Sequence, residues 1–303
     1  MPPNDNSIDA RDWSLLGVLS ILWGGSFFFN GAALRELPPF TLVFLRVALG
    51  AAILMPLLRM QGISFPKGAA GWKTFFAIGL LNNVIPFSLI VIGQTFIPSG
   101  LASILNAITP LFTVIVMAMA REEALQMRRV ARVVLGFVGV VILRGWGIET
   151  RPGQELGILL CLGGASSYGL AALAARRLLR DAVPLGTATF QLMASTVMMA
   201  IVAGTMEQPW RLPIPGPTTW LAVLGLAGLS TALAYIVFFQ ILRRSGATNV
   251  MLVTLLIPVT AIFLGWLALS EPISMREIAG AIVIGSALLV IDGRVLRLSR
   301  RVV

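Results

Sequence analysis

The chain has 303 residues, of which 57% are hydrophobic and only 12% are charged, and its net charge is +10. Because a soluble domain has about 25% charged residues, this composition excludes a soluble globular protein and indicates an integral membrane protein. The sequence has no histidine and a single cysteine, Cys161, which excludes histidine-based catalysis, histidine metal sites and internal disulfides.

Ten apolar runs predict an all-α integral membrane protein with ten transmembrane helices. About 20 apolar residues cross a bilayer as a helix. The fifth and tenth runs are shorter, and we expect them to extend into flanking basic residues whose side chains reach the interface. In chain order the runs are Trp13–Leu34, Pro39–Leu58, Trp72–Gly93, Gly100–Ala120, Val130–Leu143, Leu156–Leu179, Pro184–Met206, Thr218–Leu242, Thr248–Leu269 and Ile278–Ile291.

The basic residues are unevenly distributed between the two sides of the membrane. With strict alternation of the ten helices, 17 Lys and Arg residues lie on the side of both termini and five on the other side, while Arg46 lies inside a helix. Since basic loops stay in the cytoplasm, this predicts cytoplasmic tails at residues 1–12 and 294–303. The positive charge is therefore interpreted as a topology signal and not as a nucleic-acid-binding surface.

The two halves of the chain resemble each other. The segment Glu123–Arg128 matches Glu271–Arg276 at an offset of 148 residues, and Pro110 falls on Pro258 at the same offset. A repeat unit of five helices is odd, so the second half enters the membrane from the opposite side. Inverted repeats of this kind are typical of secondary transporters, with a substrate cavity between the halves. The predicted divisions are a first half at 13–145, an external linker at 146–155 and a second half at 156–293.

These features resemble the EamA-type drug/metabolite transporter superfamily over roughly residues 13–293, and within it the bacterial YddG-like aromatic amino-acid exporters. The first half departs from the pattern, because Ala124 occupies the position of Pro272 in the second half. The resemblance implies a multi-pass protein of the bacterial inner (plasma) membrane that exports amino acids, with the third, fourth, eighth and ninth helices along the pathway. The resemblance rests on Leu22-Trp23-Gly24-Gly25-Ser26, Arg46, Pro110 with Glu123, and Pro258 with Glu271-Pro272.

Polar and aromatic residues near the helix midpoints are the candidate substrate contacts. Such residues are costly in lipid and usually pair with one another or face water. Under the repeat, Asn82 and Asn83 fall on Ser230 and Thr231, so both halves place a polar pair at similar depth. The candidates are Trp23, Ser26, Asn30, Asn82, Asn83, Ser103, Asn106, Ser167, Tyr168, Ser230, Thr231, Tyr235 and Thr254.

Three prolines lie four residues after a polar candidate. A proline inside a helix leaves the carbonyl four residues earlier without its usual donor. We favour the hypothesis that these turns line the cavity and offer acceptors to a substrate. The alternative is that they are ordinary kinks and that the polar side chains only bond across helices. The pairs are Pro86 with Asn82, Pro110 with Asn106, and Pro258 with Thr254.

Trp23 and Arg46 each have two interpretations. Trp23 lies mid-helix, and it either forms an aromatic wall of the cavity with Tyr168 or packs in the core. Arg46 lies about 10 Å below Pro39 at 1.5 Å per residue. It either attracts a substrate carboxylate or holds helices together, and the structural role is favoured at this level.

The expected function is a carrier that works by alternating access on amino acids, aromatic or neutral, or on similar small metabolites. No Walker motif is present, so ATP is not the direct energy source. Proton coupling usually requires an intramembrane Asp, Glu or His, and the helix centres hold none, which predicts facilitative or weakly proton-coupled transport. The alternatives are a pore, a flippase for lipids or lipid-linked sugars, and, less favoured, an intramembrane enzyme. We expect no cofactor, no metal and no nucleic-acid partner, only a small-molecule substrate, the lipid bilayer and a monomer or weak homodimer.

Overall fold

The computed structural model describes residues 10–122, 152–179, 182–250 and 253–270, with a few isolated positions between 275 and 286. Over these residues the chain is helical and has no β-strand. A short 3₁₀ helix covers Pro209–Arg211, and π-helical segments cover Leu80–Val84 and Gly228–Leu233. The α-helices are α1 (Ala10–Ala33), α2 (Pro39–Met60), α3 (Gly68–Gly79), α4 (Ile85–Gly93), α5 (Ser99–Asn106), α6 (Thr109–Met119), α7 (Gln154–Leu178), α8 (Pro184–Met206), α9 (Pro217–Ala227), α10 (Ala234–Val250) and α11 (Val253–Leu269).

Seven helical segments of the described residues are long and apolar enough to cross a bilayer. They confirm seven of the predicted runs, with every boundary within four residues of the prediction. The predicted run Thr248–Leu269 corresponds to the shorter α11, while Val130–Leu143 and most of Ile278–Ile291 lie outside the described residues. The seven segments are Ala10–Ala33, Pro39–Met60, Gly68–Gly93, Ser99–Met119, Gln154–Leu178, Pro184–Met206 and Pro217–Ile241.

One predicted connection is wrong. The sequence places a loop between Leu242 and Thr248, but α10 continues through this stretch to Val250. A helix that leaves the membrane can continue because its backbone groups bond to one another in water as well as in lipid. Arg243 and Arg244 therefore follow the end of the apolar span but do not end the helix.

The helices pack around two buried apolar clusters. One cluster joins α1, α5, α7, α10 and α11, and the other joins α2, α4, α8 and α9. Tyr168 packs against both clusters. Outward-facing side chains such as Ile21, Leu159 and Ile201 are more than half exposed, as expected for surfaces that contact lipid.

Gly24 allows α1 and α11 to approach closely. A Cβ atom at this position would collide with the hydroxyl of Thr260. That hydroxyl donates to the Ser20 carbonyl at 2.9 Å, so the missing side chain creates room for a bond between the two helices. Gly24, the first glycine of the Leu-Trp-Gly-Gly-Ser motif, thus has a packing role.

Ion pairs join helices at one end of the bundle, which we call the basic end. Glu122 accepts from Arg177 at 2.8 Å and lies 3.7 Å from Arg176. Asp12 accepts from Arg244 at 3.0 Å. The first pair joins the ends of α6 and α7, so these helices run in the same direction; the second joins α10 to the start of α1.

Candidate functional site

A cavity of about 810 Å³ lies among the helices, bounded by residues of each helix from α1 to α8, of α10 and α11, and of both π-helical segments. It extends from Asn30 and Arg46 to Leu179 and Thr187 near the basic end. Small-molecule sites commonly occupy about 300 to 1,000 Å³, so the cavity has room for a small metabolite. The predicted site residues that line it are Trp23, Ser26, Asn30, Arg46, Asn82, Asn106, Pro110, Tyr168, Ser230, Thr231, Tyr235 and Thr254.

Aromatic rings form one part of the lining. Trp23 packs against Phe238 with ring centroids 5.5 Å apart, and Tyr235 stacks on Phe239 at 6.1 Å. Tyr168 lines the same cavity, as the aromatic-wall interpretation of Trp23 requires. The sequence did not single out Phe238 and Phe239, because phenylalanine in an apolar helix has no distinguishing signal.

Both polar pairs lie inside π-helical segments, Asn82 and Asn83 in the first, Ser230 and Thr231 in the second. A π-helix changes the hydrogen-bond spacing of the backbone and often occurs at functional sites. In the second segment, Thr231 donates to the carbonyl of Leu226, which lies in α9 five residues earlier, at 2.9 Å. The polar positions were predicted, whereas the π geometry was not.

The first polar pair is anchored to α8. Asn82 donates to the Gln191 side chain at 3.1 Å, and Asn83 donates to Ser195 at 3.0 Å. Tyr235 connects the same network to α10, since its hydroxyl lies 3.4 Å from Gln191 and 3.5 Å from Asn83. Gln191 also lines the cavity. Sequence reasoning missed Gln191 and Ser195, although both are mid-helix polar residues of the kind it selected elsewhere.

The fourth predicted span is broken in the middle. Helix α5 ends at Asn106 and α6 begins at Thr109, one residue before Pro110. The Asn106 carbonyl accepts from the Thr109 hydroxyl at 2.7 Å. At this site the predicted broken turn is observed, and its carbonyl is bonded within the chain.

The other two prolines do not break their helices in this way. Pro86 follows the first π-helical segment at the start of α4, while α11 remains continuous through Pro258. Neither proline lines the cavity. Thr254 does line it, as a residue of an unbroken helix.

Three further predicted residues lie behind the lining. Asn83, Ser103 and Ser167 are each at most 3% exposed. Ser103 donates to the Gly100 carbonyl at 2.6 Å and Ser167 donates to the Leu81 carbonyl at 2.7 Å. The Ser103 bond lies within α5, whereas the bonds of Asn83 and Ser167 join the first π-helical segment to α8 and α7.

Arg46 is 7% exposed and lies against the cavity. Its Nε donates to Thr231 Oγ1 at 3.1 Å, and its guanidinium carbon lies 3.7 Å from the Phe87 ring centroid. Tyr168 and Tyr235 lie close enough to the guanidinium to interact with it electrostatically.

Asn30 and three other residues form a hydrogen-bonded cluster at the end of the cavity opposite the basic end. Gln94 Oε1 accepts from Asn30 Nδ2 at 2.9 Å, and Gln94 Nε2 donates to the Phe27 carbonyl at 2.9 Å and to Ser99 Oγ at 3.2 Å. Ser99 also donates to Phe27 at 3.1 Å. This Gln94 cluster (Phe27, Asn30, Gln94 and Ser99) ties α1 to the connection between α4 and α5. The sequence gives no indication of it, because Gln94 lies at a helix end where polar residues are ordinary.

Three buried polar atoms have no hydrogen-bond partner among the described residues: Asn30 Oδ1, Asn106 Oδ1 and Ser230 Oγ. All three residues line the cavity. Because an unsatisfied buried polar group is costly, each of these atoms needs a partner that the described residues do not supply. No group of His, Cys, Asp and Glu suited to a metal ion occurs in the part of the chain that the structure describes.

The sequence matches a known family in two segments. The profile of the EamA-like transporter family matches residues 13–145 and again residues 155–291. Together these segments cover most of the chain.

Similar proteins from bacteria span almost the same length. The uncharacterized transporter YoaV of Bacillus subtilis (strain 168) is 25% identical, covering 89% of this chain and 93% of its own. A probable amino-acid metabolite efflux pump of Escherichia coli (strain K12) is 24% identical, covering 93% and 94%; one of the same name in Salmonella typhimurium is also 24% identical. A solved crystal structure superposes with a TM-score of 0.67 at 22% identity, over 96% of this chain and 99% of the other, which supports the fold.

Proposed function

We propose that this chain, which belongs to the EamA-like transporter family, exports amino acids, aromatic or neutral, or similar small metabolites by alternating access. Family membership and the apolar helices make it a membrane transporter of small molecules. The substrate class rests on the cavity, together with the printed names of two relatives, each called a probable amino-acid metabolite efflux pump.

The observation that carries the proposal is the mixed chemistry of the cavity wall. Trp23, Tyr235 and Phe238 contribute aromatic rings to the wall, while Asn30 and Asn106 contribute amide groups whose Oδ1 atoms are buried and have no partner among the described residues. A solute with an aromatic or aliphatic side chain and an ammonium group would satisfy both. A purely apolar solute would leave the acceptors unpaired, which disfavours it.

Several observations support two inverted five-helix halves. The two π-helical segments begin at Leu80 and Gly228, the same 148-residue offset as the sequence repeat. Helices α6 and α7 run in the same direction, as the fourth and sixth helices of such a repeat must. Packing of α1 on α11 has its counterpart in packing of α7 on α5 and α6. The family profile also matches twice.

We infer a state in which the cavity is accessible from the basic end, because the lining reaches Leu179 and Thr187 there and the Gln94 cluster lies at the opposite end. That end would face the cytoplasm of a bacterial cell, since basic loops are retained there, and the protein would reside in the inner membrane with both termini inside. The Gln94 cluster would then close the external side. In export, a solute would enter from the cytoplasm and leave after this cluster separates.

The predicted transport is facilitative or only weakly coupled to protons. No Asp or Glu lines the described cavity, and the chain contains no histidine. A proton relay through the cavity would therefore lack an acceptor with a suitable pKa.

An efflux experiment in cells tests the proposal. Cells that express the protein are fed a phenylalanine-containing dipeptide, which intracellular peptidases cleave. We expect faster appearance of phenylalanine in the medium and lower intracellular phenylalanine than in cells with an empty vector. Equal release by both cell lines, with the protein present in the membrane, would contradict the proposal.

A further inference from the structure

Arg46 is a buried cation that has no counter-charge among the described residues. Only 7% of its surface is exposed. In the described part of the chain no carboxylate forms an ion pair with it. No Asp or Glu occurs among the described residues that line the cavity. A charged side chain within a membrane-spanning segment is costly, and such residues are commonly functional.

The side chain is held in one orientation by two neutral contacts. Thr231 Oγ1 accepts from Nε at 3.1 Å, and the same hydroxyl donates to the Leu226 carbonyl, so its role as an acceptor is fixed. The Phe87 ring covers one face of the guanidinium at 3.7 Å. These contacts use one of the five N–H donors and one face of the group.

The terminal edge of the guanidinium remains available. Within the described residues, the two terminal nitrogens of Arg46 make no hydrogen bond, and Arg46 belongs to the cavity wall. An arginine that only joined helices would be expected to spend these donors on carbonyls or carboxylates. An oriented guanidinium whose free edge meets a cavity matches the requirement for binding a carboxylate with two parallel hydrogen bonds.

We propose that Arg46 is the carboxylate-binding residue of the cavity and restricts its substrates to solutes that carry a carboxylate. This rests on the proposed transport function and narrows its substrate class. An α-amino acid would place its carboxylate on Arg46 and its ammonium near Asn30 and Asn106, whose Oδ1 atoms have no partner within the described residues. An amine that lacks the carboxylate would bring a second positive charge to an uncompensated guanidinium, which disfavours it.

Matched solutes test this directly in proteoliposomes. Phenylalanine, phenethylamine and 3-phenylpropionate share one ring and differ in the charged groups. We expect the wild-type protein to exchange phenylalanine and not phenethylamine. In Arg46→Gln the kcat/KM for phenylalanine should fall about 10- to 100-fold, the size expected for hydrogen bonds to a charged group, while phenethylamine exchange stays the same or rises.

Two further variants separate recognition from folding. Arg46→Lys keeps the charge but loses the planar fork, so it should recover part of the lost phenylalanine activity. Arg35→Gln removes the same charge from an exposed position and should exchange phenylalanine as the wild type does.

The outcomes distinguish this inference from the transport proposal. Equal wild-type exchange of phenylalanine and phenethylamine would overturn the Arg46 assignment and leave amino-acid transport standing. Wild-type phenylalanine kinetics in Arg46→Gln would likewise overturn the Arg46 assignment and leave amino-acid transport standing. Exchange of 3-phenylpropionate but not of phenylalanine, lost in Arg46→Gln, would support the assignment and overturn amino-acid transport.

Discussion

Replacing Gln94 by leucine should weaken closure of the cavity at the end opposite the basic end. The Gln94 side chain makes three hydrogen bonds, to Asn30, Phe27 and Ser99. Leucine has a similar size but can form none of them. The substitution therefore removes the polar contacts of the Gln94 cluster without opening a large cavity.

The expected shift follows from the number of bonds lost. Side-chain hydrogen bonds in membrane proteins contribute about 0.6 kcal/mol each. Three such bonds sum to about 2 kcal/mol, which corresponds to a shift of about 30-fold toward states open at that end. If opening at this end is the rate-limiting step of substrate exchange, the variant should also raise the exchange rate.

Thiol labelling measures the opening. Cys161 is the single cysteine and is fully buried, so a Cys161→Ala background gives a protein without thiols. A cysteine introduced at Ser26, which lines the cavity, then reports access by a membrane-impermeant maleimide added to intact cells. We expect Gln94→Leu to raise the labelling rate up to about 30-fold.

The neighbouring residue supplies a matched control. Thr95 is exposed and donates only to the Ile92 carbonyl in its own turn, so Thr95→Val should leave labelling unchanged. An unchanged labelling rate in a folded Gln94→Leu protein would refute the idea that the cluster closes this end. Rapid labelling of the parent protein from outside would refute it as well.

Three further predictions concern the lining, the helix packing and the energetics. Asn82→Leu and Asn106→Leu should each reduce phenylalanine exchange by about tenfold or more, because each removes polar groups that line the cavity; normal membrane insertion, checked by immunoblot, with normal exchange would count against the cavity hypothesis. Gly24→Ala should lower the melting temperature of the purified protein, because the added Cβ collides with a hydroxyl of α11, whereas Gly17→Ala, which has open space, should be neutral or stabilising by up to about 1 kcal/mol. An imposed pH gradient should leave phenylalanine flux into proteoliposomes nearly unchanged, and strong uphill accumulation driven by the gradient would disprove weak coupling.

The spans and the polar positions were predictable because lipid imposes strong constraints on sequence. An apolar run as long as Pro184–Met206 has few structural alternatives in a membrane, and the helix has the predicted boundaries. Asn82 and Ser230 stand out because a polar residue at mid-membrane needs a partner or a solute. Pro110 marks a break in its helix because proline cannot donate to the preceding turn.

The partners of those residues depend on how the helices pack and could not be read from spacing. Gln191 and Asn82 are far apart in the chain, and their bond exists because α8 packs against α3 and the first π-helical segment. Side chains of other helices also donate to carbonyls in and next to the first π-helical segment, Ser167 to Leu81 and Ser195 to Gly79. Arg46 was visible as a buried charge, but its free guanidinium edge appears only once Thr231 and Phe87 are placed around it.

Counterflow in proteoliposomes measures the central claim most directly. Vesicles that contain the purified protein are loaded with unlabelled phenylalanine and diluted into a trace of labelled phenylalanine. An alternating-access carrier predicts transient, saturable accumulation of label that empty vesicles do not show. Absence of that accumulation would contradict amino-acid transport, and a flux that rises linearly with concentration would indicate a pore instead of a carrier.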